Sequence, residues 1–187
     1  MTRLAVVPVL LLLWLQPVFA CVGKNLTIGV VNTPQETIYA ELIAQMVAER
    51  TGTTVSVVSF KDVKGLYAAV KKGDVGIIIE NTDRGVKEVG LAPEGNARST
   101  YEALKREYRK SLDLVWLEPV SLEGGNRFFA PVIGADTMGH LPALPKVINR
   151  LTSALTEESY AKLVRAVQGD EKPRKIARDF LKAKKLI

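Results

Sequence analysis

The stretch best suited to chemistry is Glu80-Asn81-Thr82-Asp83-Arg84-Gly85, a polar run that follows the apolar residues of "VGIIIE" (75–80). An unbroken apolar run of that length reads as a buried strand. The C-terminal ends of strands in open α/β sheets are the usual place for ligand contacts. Glu80, Asn81 and Thr82 supply a carboxylate, an amide and a hydroxyl, groups that hydrogen-bond a small polar solute. Asn32 and Gln35 follow an earlier strand-like segment, "NLTIGVV" (25–31), and add two amides. These five residues are predicted to gather at one sheet edge as a ligand-binding cluster.

Catalytic constellations are missing from the sequence. His140 is the only histidine, sits beside Gly139 and near Pro142 in a loop setting, and has no serine or cysteine motif to serve. No dinucleotide fingerprint, Walker loop or H-E-x-x-H motif occurs. Glu118 and Glu80 are two acids at strand ends without a partner group. The sequence therefore predicts a binding protein rather than an enzyme, with no metal and no cofactor.

The elements that must position the polar cluster are well marked. A helix spans 33–52, with Thr33 and Glu36 as a capping box, Pro34 at its first position and Gly52 at its end. Strands follow at 53–60 and 75–80, around a helix at 62–73 with Ser59 as a candidate cap and Gly73 as terminator. A loop (90–96) leads to a helix at 99–112 opened by a Ser99–Glu102 capping box. Strands are predicted at 113–119 and 127–135, separated by the turn "EGGN" (123–126). Helices fill 141–155, 156–168 and 173–185. This alternation predicts an α/β domain with a roughly five-stranded, mainly parallel sheet flanked by helices and a helical C-terminal tail.

Composition is that of a globular chain: 187 residues, 47% apolar and 25% charged, with a net charge of +6. The first twenty residues differ. Arg3 precedes the apolar block "LAVVPVLLLLWL" (4–15), and "QPVFA" (16–20) ends in a small residue, the layout of a signal peptide. The block is shorter than the ~20 residues a spanning helix needs. Export to the periplasm or cell envelope is the expectation, and loss of 1–20 removes one arginine and no acid, leaving +5.

Cys21 is the sole cysteine, which excludes an intrachain disulfide. "VFAC" resembles a lipobox, with Phe19 departing from its usual small residue, so Cys21 is a lipidation candidate and a membrane tether. Near the other terminus, Ile176, Ala177, Phe180 and Leu181 alternate with basic residues at helical spacing. That pattern describes a helix docked by its apolar face with its cations in solvent. Contact with anionic headgroups is the sharper reading. No aromatic side chains interleave with these cations as nucleic-acid binding would require.

Taken in order, "LTIGVVNTPQETIYAELIAQMVAERTG", "VKGLYAAVKKGDVGIIIENT", "YEALKREYRKSLDLVWLEP" and "APVIGADTMGHLPALPKVINRLTSALTEESYAKL" resemble the glycine betaine/choline-type substrate-binding proteins of osmoprotectant ABC importers. The resemblance spans about residues 26–187 and implies the type II periplasmic-binding fold. It also implies an ABC permease as partner and a quaternary-ammonium solute as ligand. That family has two lobes, whereas here only "VSLEGGNRFF" (120–129) separates the strands that would flank the second, so a single lobe at 26–187 is expected. Asn32, Glu80 and Thr82 match the family's contact runs. Val31 stands where a lysine is expected, Gly76 replaces an aspartate, and Ile78 and Asn81 replace tyrosines.

Methylated ammonium groups donate no hydrogen bonds and are held over aromatic faces, so the aromatic cage is expected to be largely absent. Trp116, Phe128 and Phe129 are predicted to form an exposed association surface where the second lobe is missing, covered by a second copy or a partner protein. A non-transport sensor, adaptor or interaction module is the alternative function.

Overall fold

The computed structural model describes residues 25–187 apart from 94, 123 and 170. The predicted leader and Cys21 lie outside the described residues. β1 (Asn25–Val30), α1 (Pro34–Thr51), β2 (Thr54–Ser59), α2 (Val63–Lys72) and β3 (Ile77–Asn81) form the opening alternation. Next come α3 (Thr82–Val89), α4 (Ala97–Ser111), β4 (Leu114–Trp116), β5 (Val120–Leu122) and β6 (Arg127–Gly134). The chain closes with α5 (Ala135–His140), α6 (Leu144–Ala154), α7 (Glu157–Val167) and α8 (Pro173–Ala183). Among the described residues no helix is long and apolar enough to cross a membrane.

The strands form one sheet of order β2-β1-β3-β6-β4, with β5 paired to β6. β1 runs parallel to β2 and β3, while β6 runs antiparallel to β3, β4 and β5. The α/β class and the helical tail agree with the sequence. The sheet, however, has six strands and is mixed rather than mainly parallel. The cause is the connection into β6: a tight turn carries positive φ at Gly124 (68°) and Gly125 (82°), and a hairpin of that length joins antiparallel strands only. β6 then passes between β3 and β4.

Helices cover both faces. α1, α6, α7 and α8 pack on Ile28, Ile77, Ile79 and Ile133, and α2, α3 and α4 pack on Ile78, Ala130 and Val132. Alternation along β3 sends neighbouring isoleucines to opposite cores, which is why the strand is apolar throughout.

Several helix starts differ from expectation. Asp62, not Ser59, caps α2, because Ser59 is still pairing in β2 and Asp62 Oδ1 accepts from Gly65 N at 2.8 Å. Asn96, not Ser99, caps α4, accepting from Ser99 N at 2.9 Å. At α1, Thr33 Oγ1 accepts from Glu36 N as expected, but the Glu36 carboxylate bonds Val31 N instead of completing the box. The polar run after β3, where no helix is predicted from the sequence, opens the helix α3. His140 ends the short helix α5 rather than lying in a loop.

Gly29 in β1 shows how tightly α2 seats. A Cβ there would lie 2.4 Å from Leu66 Cδ1 and 3.0 Å from Val75 Cγ1, and Leu66 is fully buried. Gly29→Ala is expected to lower stability by about 1–3 kcal/mol through overpacking. Urea unfolding checks this, and an unchanged midpoint would show that the α2 layer can yield.

Candidate functional site

The ends of β1 and β3 lie side by side, and the residues just past them form the predicted polar edge. Asn81 opens α3: its Oδ1 accepts from Arg84 N at 3.0 Å, the usual work of an N-cap. That cap aims the Arg84 side chain back across the strand end. Its Nη1 donates to Glu36 Oε1 at 2.8 Å, its Nε donates to Glu80 Oε1, and its Nη2 donates to the Ile79 carbonyl. Glu36 comes from the first turn of α1 and Glu80 from the end of β3, so one guanidinium ties two strand–helix junctions together.

This network lies inside the protein. The Glu80 and Glu36 side chains are 0% and 1% exposed and that of Arg84 13%. Glu80 Oε1 also accepts from Asn81 N at 2.7 Å, and Oε2 accepts from Tyr67 Oη at 2.5 Å. Because Tyr67 donates to the carboxylate, Tyr108 Oη, 2.7 Å away, donates to Tyr67. Burial pushes both carboxyl groups above the ordinary value of 4.5, and the Arg84 charge pulls them partway back. Burial, with the Glu80 charge second, raises Tyr67 and Tyr108 in the same way and keeps both phenols protonated donors.

The five predicted contacts therefore divide. Asn32 is exposed, and Gln35 and Asn81 are half-buried. Glu80 is consumed by Arg84, Tyr67 and the backbone. Thr82 is buried, with Oγ1 accepting from Phe128 N at 3.4 Å. Sequence reasoning passed over Glu36, Arg84, Tyr67 and Tyr108. Only the Glu80–Arg84 spacing of four residues signals their association, and only if α3 is recognised as a helix.

The predicted aromatic surface is corrected. Trp116 is 1% and Phe129 5% exposed, and Phe128 is half-buried. Tyr101 and Tyr108 of α4 cover Trp116 at ring distances of 5.9 and 5.2 Å, and Tyr160 of α7 meets Phe129 at 6.3 Å. The chain's own helices occupy the space left open in the sequence reading. Trp116 Nε1 is buried without a hydrogen-bond partner.

One cleft of about 330 Å³ adjoins the polar edge, between α3, α4 and the β5–β6 turn, with Thr82, Asp83, Asn96 and Asn126 among its lining. A larger one, about 550 Å³, lies at the opposite edge between α2 and α4. Among the described residues no group of three or more His, Cys, Asp or Glu side chains is placed to hold a metal ion.

The family model for OpuAC, the substrate binding domain of ABC-type glycine betaine transport systems, matches residues 24–132, more than half of the chain. No curated protein matches the sequence significantly. Among solved structures, a glycine betaine/carnitine/choline ABC transporter protein superposes with TM-score 0.76 at 11% identity, covering 88% of this chain and 99% of that one. Apo YehZ from Escherichia coli gives 0.76 at 13% identity over 88% and 100%. Lactococcal OpuAC, closed on glycine betaine, gives 0.57 at 9% identity over 87% and 96%. At these identities the superpositions show a shared fold.

Removing Arg84 leaves two buried carboxyl groups without a counter-charge. Arg84→Met is expected to cost about 3–5 kcal/mol at neutral pH. A carboxyl whose folded pKa is raised contributes stability that is complete below 4.5 and is lost as pH rises through the folded value. Without Arg84 those values rise further, so the variant's deficit should shrink as pH falls toward 4.5. Urea midpoints at the two pH values measure this; an equal deficit at both would refute the ion-pair account.

Proposed function

The chain belongs to the family of substrate-binding domains of ABC-type glycine betaine transport systems, and from that premise we propose that it is an exported, single-lobed solute-binding component. The observation that carries this reading is the family match itself, whose span includes both loops of the polar edge, with Asn32, Gln35, Glu80, Asn81 and Thr82. The short β5–β6 hairpin supports the single-lobe part, since it stands where two-lobed relatives of the resembled family insert the second lobe. An ABC permease is the expected partner. The cell envelope is the expected location, with Cys21 as the lipid-anchor candidate.

The solute is a small polar molecule held by hydrogen bonds at the C-terminal edge, from Asn32, Gln35 and Asn81. A methylated ammonium suits this edge poorly. Each aromatic face in a cage contributes ~0.5–2 kcal/mol, and the aromatic side chains nearest the edge are turned inward. Tyr67 spends its hydroxyl on Glu80 and Tyr108 spends its own on Tyr67, and Trp116 and Phe129 are buried.

A second reading, an envelope sensor or adaptor that does not transport, is favoured by Arg84. The two carboxylates that could face an external cation already have an internal one.

Calorimetry separates the readings. Glycine betaine and choline are expected to give no micromolar heats, while a panel of polar solutes without methylated ammonium groups should contain a binder. Asn32→Ala and Gln35→Ala should each weaken that binder by about two- to tenfold, one hydrogen bond apiece. Micromolar heats with glycine betaine would overturn the missing cage. Silence across the panel would leave the adaptor reading standing.

A further inference from the structure

The positive charge of the protein is concentrated far from the polar edge. From residue 171 onward there are seven Lys or Arg and two acids. α8 buries Ile176, Ala177 and Leu181, packing on α1, so it has no free apolar face to insert into a bilayer and its cations stand in solvent. Glu171 and Asp179 both pair with Lys175, and Arg178 approaches Glu49 at 3.8 Å. Lys182, Lys184 and Lys185 are exposed. Lys184 lies over the Phe180 ring at 5.9 Å.

Position gives this charge a direction. α8 runs parallel to α1: Gln45 Nε2 donates to the Arg174 carbonyl at 2.7 Å, and Arg50 donates twice to the Leu186 carbonyl at 2.6 and 2.8 Å. Arg50 lies in the last turn of α1, and β2 then begins at Thr54, which pairs with Asn25. The lysines that end α8 and the point where residues 1–24 join the fold thus share one edge of the sheet. Asn32, Gln35 and Asn81 lie at the opposite edge.

We propose that this basic edge, centred on Lys182, Lys184 and Lys185, docks on the headgroups of anionic phospholipids. It holds the sheet upright on the bilayer with its polar edge turned away. Charge complementarity supplies the attraction, because compact ammonium groups on a helix with a buried apolar face are suited to phosphate contact without insertion. Asn25, the first described residue, lies at the same edge as these lysines. The inference does not depend on solute binding.

Vesicle co-sedimentation of the chain without residues 1–21, which retains every described element, tests it. Vesicles of phosphatidylcholine containing phosphatidylglycerol should carry the protein down at low salt; pure phosphatidylcholine should not. Each surface cation contributes roughly fivefold to partitioning, so the Lys182→Gln, Lys184→Gln, Lys185→Gln variant should lose roughly a hundredfold. Its thermal midpoint should be unchanged, since all three side chains are exposed. A control that removes the same charge elsewhere, Lys61→Gln, Lys64→Gln, Arg98→Gln, should lose far less. Equal losses in the two variants, partition without phosphatidylglycerol, or displacement by inorganic phosphate at matched ionic strength would each overturn the proposal.

Discussion

One buried guanidinium organises the end of the sheet. Arg84 spans Glu36 at the start of α1 and Glu80 at the end of β3, and it reaches the Ile79 carbonyl between them. A charge taken out of water must be paired and hydrogen-bonded, or it costs several kcal/mol. Two carboxylates facing one guanidinium therefore hold the β1–α1 and β3–α3 junctions at a fixed separation. Tyr67 from α2 and Tyr108 from α4 complete the set, so four helices and the two strand ends depend on one charge cluster.

The same cluster decides what the edge can offer a ligand. Glu80 and Thr82 stand in contact positions of the family that the sequence resembles, yet their polar atoms are bonded within the chain. Of the tyrosines nearest the edge, Tyr67 binds Glu80 and Tyr108 binds Tyr67, and their rings pack in the core that α2 and α4 cover. Asn32, Gln35 and Asn81 remain, an edge suited to directional hydrogen bonds and poorly suited to a soft methylated cation. Family membership shows a substrate-binding domain, and the proposal about its solute rests on this local chemistry.

The hairpin into β6 has a comparable reach. By returning antiparallel between β3 and β4, β6 places Ala130 and Val132 on one core and Phe129 and Ile133 on the other. α4 and α7 then close over the aromatic residues on each face. Hydrophobic burial is complete within one sheet and two helical layers, leaving Val58 and Leu112 as the large apolar side chains exposed among the described residues.

Much of this was legible in the sequence because it is local. Apolar periodicity marked β1, α1, β2, α2 and β3, glycines marked the ends of α1 and α2, and Gly124-Gly125 marked the hairpin. The polar edge was legible in location, since strand order and the alternation with helices imply it. Local rules failed where distant groups decide. α3 was not predicted from the sequence, and its Gly85 is set by packing: a Cβ would come within 3.0 Å of Leu104 and Trp116. The bond between Glu36 and Arg84 joins residues 48 apart, and no spacing rule reaches so far. The burial of Trp116 and Phe129 likewise depends on helices from elsewhere in the chain. Sequence alone missed α3, α5 and the separate strand β5, but it determined the opening strand–helix alternation, the helical tail and which edge is polar. Tertiary structure decided which polar groups remain free there, because desolvation forces buried charges to find partners wherever the fold brings them.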